Sequence, residues 1–305
     1  MVVPQGLPSR RPLLERLRFI EFRLLWEGRV NRRDLMDAFG ISEPQASIDL
    51  RRYQEINPTA AVYDASRKTY ARSASFRPQQ MPEYPAEHYL NQLLVLGIAD
   101  AVPGPTWLNS APPVDVLPRG RKRIDTEVLQ SVLAAIRDRQ LLQIQYQSLS
   151  TVETEQRWIG PHALVNDGFR WHARAWCAKH EDFRDFVLSR ITAAGRSVDC
   201  DVDAKSDMEW QTYVTLKIVP HPALEPYQKR AVQLDYNMSG DAAFITTRAC
   251  LYRYLEWSLR LDLPEGPTPR WRGEVVLRNR QEVEDRCKLA KELTVQRKHS
   301  RLNLP

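Results

Sequence analysis

The chain has 305 residues, room for two or three domains, and its 43% hydrophobic and 27% charged composition is that of a folded rather than a disordered protein. No apolar run approaches the roughly 20 residues of a membrane helix, and residues 1–11 lack a signal-peptide core, so a cytoplasmic protein with no membrane partner is expected. The net charge is +6, and its excess is concentrated: residues 1–80 hold 14 Lys and Arg against 9 Asp and Glu, whereas the remainder holds 30 against 29.

In chain order, Leu13, Leu17, Ile20 and Leu24 define one apolar stripe of a first helix, and Phe19, Phe22 and Trp26 define a second on the far side. Two apolar faces predict packing on both sides, one against the core of its own domain and one against a partner element or second subunit. Gly28 ends this helix. Asn31 caps a short helix, 32–39, with Leu35, Met36 and Phe39 inward, and Gly40-Ile41 make a tight turn. Ser42-Glu43-Pro44-Gln45 reads as a capping box, with Pro in a first turn whose N–H groups have no helical partner. The next helix places Ala46, Leu50 and Tyr53 inward and Gln45, Ser47, Ile48, Arg51 and Arg52 outward. Strands 60–63 and 69–72 flank a turn with Arg67 and Lys68 near its tip, a β-hairpin of the wing kind.

This is the order of a winged helix-turn-helix. Arg32, Arg33, Ser42, Gln45, Ser47, Arg51, Arg52, Arg67 and Lys68 are the candidate DNA contacts: amides suit adenine edges, and Arg suits guanine or phosphate. Basic charge alone fits any soluble basic domain, and short paired helices also occur in protein-binding modules. The located charge, the cap and the basic-tipped hairpin together favour DNA.

Prolines punctuate 76–88 and 102–120, leaving a bridging helix at 87–101, and a polar, acidic break covers 199–209. The segments expected are a DNA-binding domain at 1–78, a linker with bridging helix at 79–123, a sensing domain at 124–200 and an extension at 210–295. The third opens with a helix, 126–139, and continues as period-two strands of a small, bent β-barrel. The fourth alternates: strand 213–219, helix 222–232, strand 242–248, helix 250–261, strand 274–277, helix 281–293. That alternation points to a ferredoxin-like α/β extension, and the whole to a multidomain α+β protein.

The stretch 141–191 is the most diagnostic. It carries Tyr146, the run Pro161-His162-Ala163-Leu164-Val165, the strand Trp171-His172-Ala173-Arg174-Ala175 after Gly168, and Leu188-Ser189-Arg190-Ile191. These residues resemble the WYL domain, an Sm/SH3-like barrel that follows a winged helix in bacterial regulators. The name-giving triplet departs from the pattern, being Trp171-His172-Ala173 here. That variant resembles the WYL repressors encoded beside anti-phage defence operons. The resemblance implies that Tyr146, Ser148, Ser150, His162, His172, Arg174 and Arg190 line a pocket for an anionic, nucleotide-like or nucleic-acid effector. Strand parity sets Trp171 and Ala173 opposite His172 and Arg174, so Trp171 is expected in the core.

His162, His172, Asp167 and Asp185 could be imagined as a hydrolytic cluster, but no Gly-x-Ser-x-Gly, His-Glu-x-x-His or phosphate-loop motif accompanies them. Cys177, Cys200, Cys250 and Cys287 lie far apart, with no Cys-x-x-Cys pair. No catalytic residue, metal or cofactor is therefore expected. The reading is a homodimeric transcriptional repressor on an inverted-repeat DNA operator, released by an effector. An activator of the same fold, or an RNA- or single-strand-binding accessory factor, remains the alternative.

Overall fold

The first helix, α1 (Arg10–Glu27), is apolar on two faces, and each finds its own partner. Leu17, Ile20 and Leu24 pack against Leu35 of α2 (Arg32–Phe39) and Ala46, Leu50 and Tyr53 of α3 (Glu43–Ile56). Phe22 packs instead with Leu93 and Leu108, beside Tyr89 and Trp107, and the Trp26 and Tyr89 rings lie 4.7 Å apart. The partner on the second face is thus the bridging helix of the same chain, α4 (Pro85–Gly97). The computed structural model describes residues 10–81, 85–97, 107–109, 111–117, 123–263 and 273–302, in two compact units, Met1–Arg119 and Gly120–Pro305. The expected end of the bridging helix, 98–101, lies outside the described residues, as does much of the second proline-rich stretch.

Capping follows the sequence with one change. Asn31 accepts the Asp34 N–H at 3.0 Å while the Asp34 carboxylate accepts the Asn31 N–H at 2.7 Å, so the complete capping box belongs to α2. At α3, Ser42 accepts the Gln45 N–H at 3.4 Å, but the Gln45 amide donates forward to Asp49 at 3.0 Å rather than reaching back. Asp49 is buried and already faces Arg16 of α1 at 2.6 Å, so the amide completes a buried ion pair. Strand β1 (Arg29–Val30) joins the hairpin of β2 (Ala61–Asp64) and β3 (Thr69–Arg72) in the order β1-β3-β2.

In the second unit, α5 (Thr126–Asp138) covers one face of an antiparallel sheet: β4 (Gln140–Tyr146), β5 (Glu155–Asn166), β6 (Trp171–Cys177), β7 (Asp182–Val187) and β8 (Ile191–Asp199). Val128, Val132 and Ala135 of α5 meet Leu142, Ile144, Ile159, Ala173, Ala175 and Cys177. The sheet order is β7-β6-β5-β4-β8, and β7 and β8 do not pair, so the sheet is open where a closed barrel was expected. Alternation along a strand fixes its two faces but not whether the edges meet. Trp171 also departs from expectation: it is 48% exposed, because it begins β6 beyond the reach of the α5 core.

The remaining elements are α6 (Met208–Gln211), β9 (Tyr213–Pro220), α7 (Pro226–Asp235), β10 (Ala243–Arg248), α8 (Tyr252–Ser258), β11 (Val275–Leu277) and α9 (Arg280–Leu302). Val214, Leu216 and Ile218 of β9 form a core with Val232, Tyr252, Val283 and Ala290. Among the described residues this sheet has three strands, β10-β9-β11, all antiparallel, rather than the four of a ferredoxin-like fold. Helix α9 runs past the expected end at 293, since no Gly or Pro interrupts residues 280–302. Among the described residues no helix is long and apolar enough to cross a membrane.

Candidate nucleic-acid interface and effector site

In the first unit, a buried carboxylate aims the second helix of the pair. Glu21 of α1 accepts the Tyr53 hydroxyl at 2.9 Å and the N–H groups of Gln79 and Met81 at 2.8 and 2.7 Å, tying α3 and the chain after the wing to one point. Burial, with the Glu21 charge, pushes the Tyr53 hydroxyl well above its ordinary pKa, so it stays a donor. With the inner face of α3 fixed, Ser47 and Arg51 turn outward. They line a groove of about 220 Å³ together with Arg32, Gln54, Tyr63, Lys68 and Tyr70.

Four of the nine expected DNA contacts, Arg32, Ser47, Arg51 and Lys68, therefore share one groove between helix and wing. Arg52 and Ser42 are exposed, and Gln45 is tied to Asp49. Arg32 pairs with Glu43 at 2.8 Å and Arg33 with Asp37 at 3.7 Å, both in solvent. Asp64 shapes the wing turn by accepting the Ser66 hydroxyl and the Arg67 N–H, and the Ser66 contact holds its carboxyl below the ordinary range. Lys68 leaves that turn at φ +50°, in the left-handed region. Gln54, Tyr63 and Tyr70 went unnoticed in the sequence, although the Tyr63 and Tyr70 rings, 5.0 Å apart, follow from their opposed positions in the hairpin.

The seven residues expected to bind an effector do not converge. Tyr146 shares its parity with Leu142 and Ile144, so it points into the α5 core, where its hydroxyl accepts the Val187 N–H at 3.3 Å. Ser148 and Ser150 bond to each other at 2.8 Å in the exposed turn after β4. Arg190 lies half-buried at the end of a 3-10 turn. His162, His172 and Arg174 occupy the opposite face. His162 is the extra residue of a β-bulge, since Pro161 pairs with Ala175 and Ala163 with Arg174. Pro161 has no N–H to give the ladder, and the bulge re-aims the following side chain.

That face is polar and closed by the chain itself. The His162 Nε2 donates to Asp207 at 3.0 Å, and Arg174 reaches Asp207 through Nε at 2.8 Å and Nη2 at 3.0 Å. Asp185 and Glu209 lie 3.4 and 3.2 Å from the same guanidinium, and the Tyr254 hydroxyl donates to Asp185 at 3.0 Å. Burial works against the charge on Arg174, but the Asp207 hydrogen bond and the neighbouring carboxylates hold its proton more firmly than in free arginine. Burial likewise pushes Asp207 up, and His162 with Arg174 overrides it, leaving the carboxyl below its ordinary range. His172 bonds Asp167 at 2.9 Å through Nε2, while its buried Nδ1 has no hydrogen-bond partner among the described residues. A groove of about 540 Å³ opens beside this cluster and is lined by His162, Trp176, Phe183, Cys200, Arg139 and Lys205.

Comparison with known proteins places these features. Residues 13–95 match the winged helix-turn-helix domain of BrxR transcriptional regulators, 127–195 the WYL domain, and 213–283 the BrxR C-terminal dimerization domain. The DNA-binding transcriptional repressor CapW of Escherichia coli (strain KTE188) is 37% identical over 268 residues, covering 88% of this chain and 89% of that one. The chain belongs to the BrxR and CapW family of WYL-domain transcriptional regulators. CapW of Pseudomonas aeruginosa is 36% identical over 271 residues, and CapW of Stenotrophomonas maltophilia 37% over 270, each covering 88% of this chain and 90% of the relative. Among solved structures, proteasome accessory factor B/C of Arthrobacter aurescens is 16% identical, with a TM-score of 0.28, over 92% of this chain and 46% of that longer one. The family expected from Tyr146, Pro161-His162 and the Trp171-His172-Ala173-Arg174 strand is the family found.

Proposed function

We propose that this chain is a homodimeric transcriptional repressor that binds an inverted-repeat DNA site through paired winged helices. It leaves that site when an anionic, nucleotide-like or nucleic-acid effector binds its WYL domain. Residues 1–78 read DNA, 79–123 link, 124–200 sense, and 210–295 brace the dimer. The regulated genes are an anti-phage defence operon. The observation that carries this reading is the groove where Ser47 and Arg51 of α3 meet Arg32, Lys68 and two tyrosines of the wing. Such a groove offers hydrogen-bonding groups for base edges beside cations for phosphate. Family membership supports it, since the curated relatives carry the name of DNA-binding transcriptional repressors.

An effector acts only by binding the released conformation better than the DNA-bound one. The test is a gel shift with DNA from upstream of the protein's own gene, against scrambled DNA, across a salt series. A specific complex that survives added salt is expected. Equal, steeply salt-sensitive binding to both DNAs would mean backbone attraction alone and would sink the reading.

A further inference from the structure

The three-stranded sheet of the C-terminal region has one face on its core and one face open. Val214, Leu216 and Ile218 of β9 point inward, so Tyr213, Thr215 and Lys217 point outward. Register sets Arg248 of β10 opposite Tyr213, Thr246 opposite Thr215 and Phe244 opposite Lys217. On the other flank Val276 of β11 pairs with Val219, and the exposed Arg278 continues that face two residues on. Two aromatic rings of this face are left to solvent, Tyr213 at 49% and Phe244 at 64% exposure.

Each ring has a cation beside it. The Arg248 guanidinium lies 4.7 Å from the centroid of the Tyr213 ring and 4.0 Å from that of Trp210, whose carbonyl accepts one of its N–H groups. The Lys217 ammonium lies 5.9 Å from the centroid of Phe244. Between these two pairs the Thr215 and Thr246 hydroxyls bond each other at 2.9 Å. The rings stand four β9 positions apart, about 13 Å of strand. No Asp or Glu occupies an outward position of β9, β10 or β11. Glu274 precedes β11 beside His221, past the end of β9 remote from Tyr213.

Exposed rings with neighbouring cations suit a polyanion whose flat bases are unpaired, because every base has a π-face and a duplex hides it. A second copy of the chain is the competing occupant, since residues 213–283 match a dimerization domain. A two-fold contact through this face would bring Lys217, Arg248 and Arg278 against their own copies, with no carboxylate to answer them. The threonines favour ribose. After their mutual bond, a proton and acceptor lone pairs remain between the rings. A 2′-hydroxyl, itself donor and acceptor, can use both, and a deoxyribose methylene can use neither.

We propose that the outer face of β9 and β10 binds single-stranded RNA. Unpaired bases stack on Tyr213 and Phe244, phosphates lie beside Lys217 and Arg248, and a 2′-hydroxyl meets Thr215 and Thr246. The site shares neither residues nor ligand with the DNA-reading groove of the first unit.

The test is fluorescence anisotropy of the full-length protein with a labelled oligouridylate of about eight nucleotides and with its deoxyuridylate counterpart. Tighter binding of the ribose strand is expected, and Thr246→Val is expected to abolish that preference. Phe244→Ala removes a ring outside the core and is expected to weaken RNA binding about tenfold, with Phe244→Trp restoring it. Lys217→Gln is expected to weaken binding and to make its salt slope shallower by about 0.7. Unchanged RNA affinity in folded Phe244→Ala would overturn the proposal, as would equal or tighter binding of the deoxyribose strand. Should Phe244→Ala lose its cooperative unfolding transition, Lys217→Gln decides, and an unaltered affinity and slope there overturns the proposal too. Sedimentation of Phe244→Ala tests the competing occupant. A dimer like that of the wild type is expected, and dissociation would assign the face to a second copy and overturn the RNA site. Operator binding by Phe244→Ala is expected to match the wild type, so the RNA site and the operator reading can fail separately.

Discussion

Arg174 and Asp207 stand 33 residues apart in the chain yet meet as a two-pronged ion pair, with side-chain exposures of 5% and 0%. The pair pins the acidic segment after β8 onto the outer face of the WYL sheet. Removing one partner strands the other in a poorly solvated place, which costs far more than removing both. Arg174→Ala leaves Asp207, Asp185 and Glu209 without their cation, and the expected loss is about 3–5 kcal/mol. Arg174→Gln combined with Asp207→Asn is expected to lose clearly less. Urea unfolding of the three proteins checks this, and a single variant as stable as the wild type would remove the pair from the account. Arg174→Ala is accordingly a poor probe of induction alone, because loss of fold would mimic loss of sensing.

Acid should find the turn before β6. Burial pushes the Asp167 carboxyl up, but the His172 hydrogen bond and the N–H groups of Arg170 and Phe169 outweigh it and bring the group down to about 2. A carboxyl depressed in the folded state contributes its stability above the unfolded value near 4 and loses it as pH falls toward 2. The contribution amounts to about 2 kcal/mol at neutral pH. The stability difference between wild type and Asp167→Asn is therefore expected to be full at pH 6 and to shrink from pH 4 downward, read by denaturant unfolding at each pH. A difference independent of pH would mean that the His172 contact does not depend on the carboxylate charge.

Arg51 is exposed on α3 and lines the groove toward the wing. Arg51→Ala is expected to weaken operator binding by about 1–3 kcal/mol, the range of a good base contact, and to leave unfolding within about 0.5 kcal/mol of wild type. Gel shifts at two salt concentrations distinguish its role. Loss confined to one sequence marks a base contact, and a salt slope shallower by about 1 marks a phosphate contact.

Lys68 should separate folding from binding. Its φ of +50° strains a side chain with a Cβ, so Lys68→Gly is expected to stabilise the first unit by about 0.5–1 kcal/mol while weakening DNA binding through the lost cation. Thermal unfolding and operator affinity are expected to move in opposite directions, and movement together would place Lys68 outside the interface.

Features written locally were legible in the sequence. The two-faced α1 and the caps at Asn31 and Ser42 rest on spacing within a turn or two of helix, and they appear in the structure with one change: Phe22 and Trp26 of the second stripe meet α4, whereas Phe19 joins the core of the first stripe. The WYL strands were legible too, from alternation and from the Pro161-His162 and Trp171-His172-Ala173-Arg174 runs. What stayed hidden depends on contacts between distant residues. Residues 199–209 look like a solvated break because Asp201, Asp203, Asp207 and Glu209 crowd it, and nothing local says that Asp207 is buried on Arg174. The pooling of Tyr146 with Arg174 failed for a related reason. Each is a polar residue in an apolar strand, but the strands turn them to opposite faces of the sheet. A cationic side chain flanked by Ala173 and Ala175 does signal a demand for a buried anion, and the nearest acidic cluster downstream supplies it.

The most direct test of the central claim is a DNase footprint of the full-length protein on DNA from upstream of its own gene. Two protected half-sites related by an inverted repeat, with centres a whole number of helical turns apart, are expected from paired winged helices in a symmetric dimer. Protection that follows no sequence, or a single half-site that binds as tightly as the pair, would contradict the account.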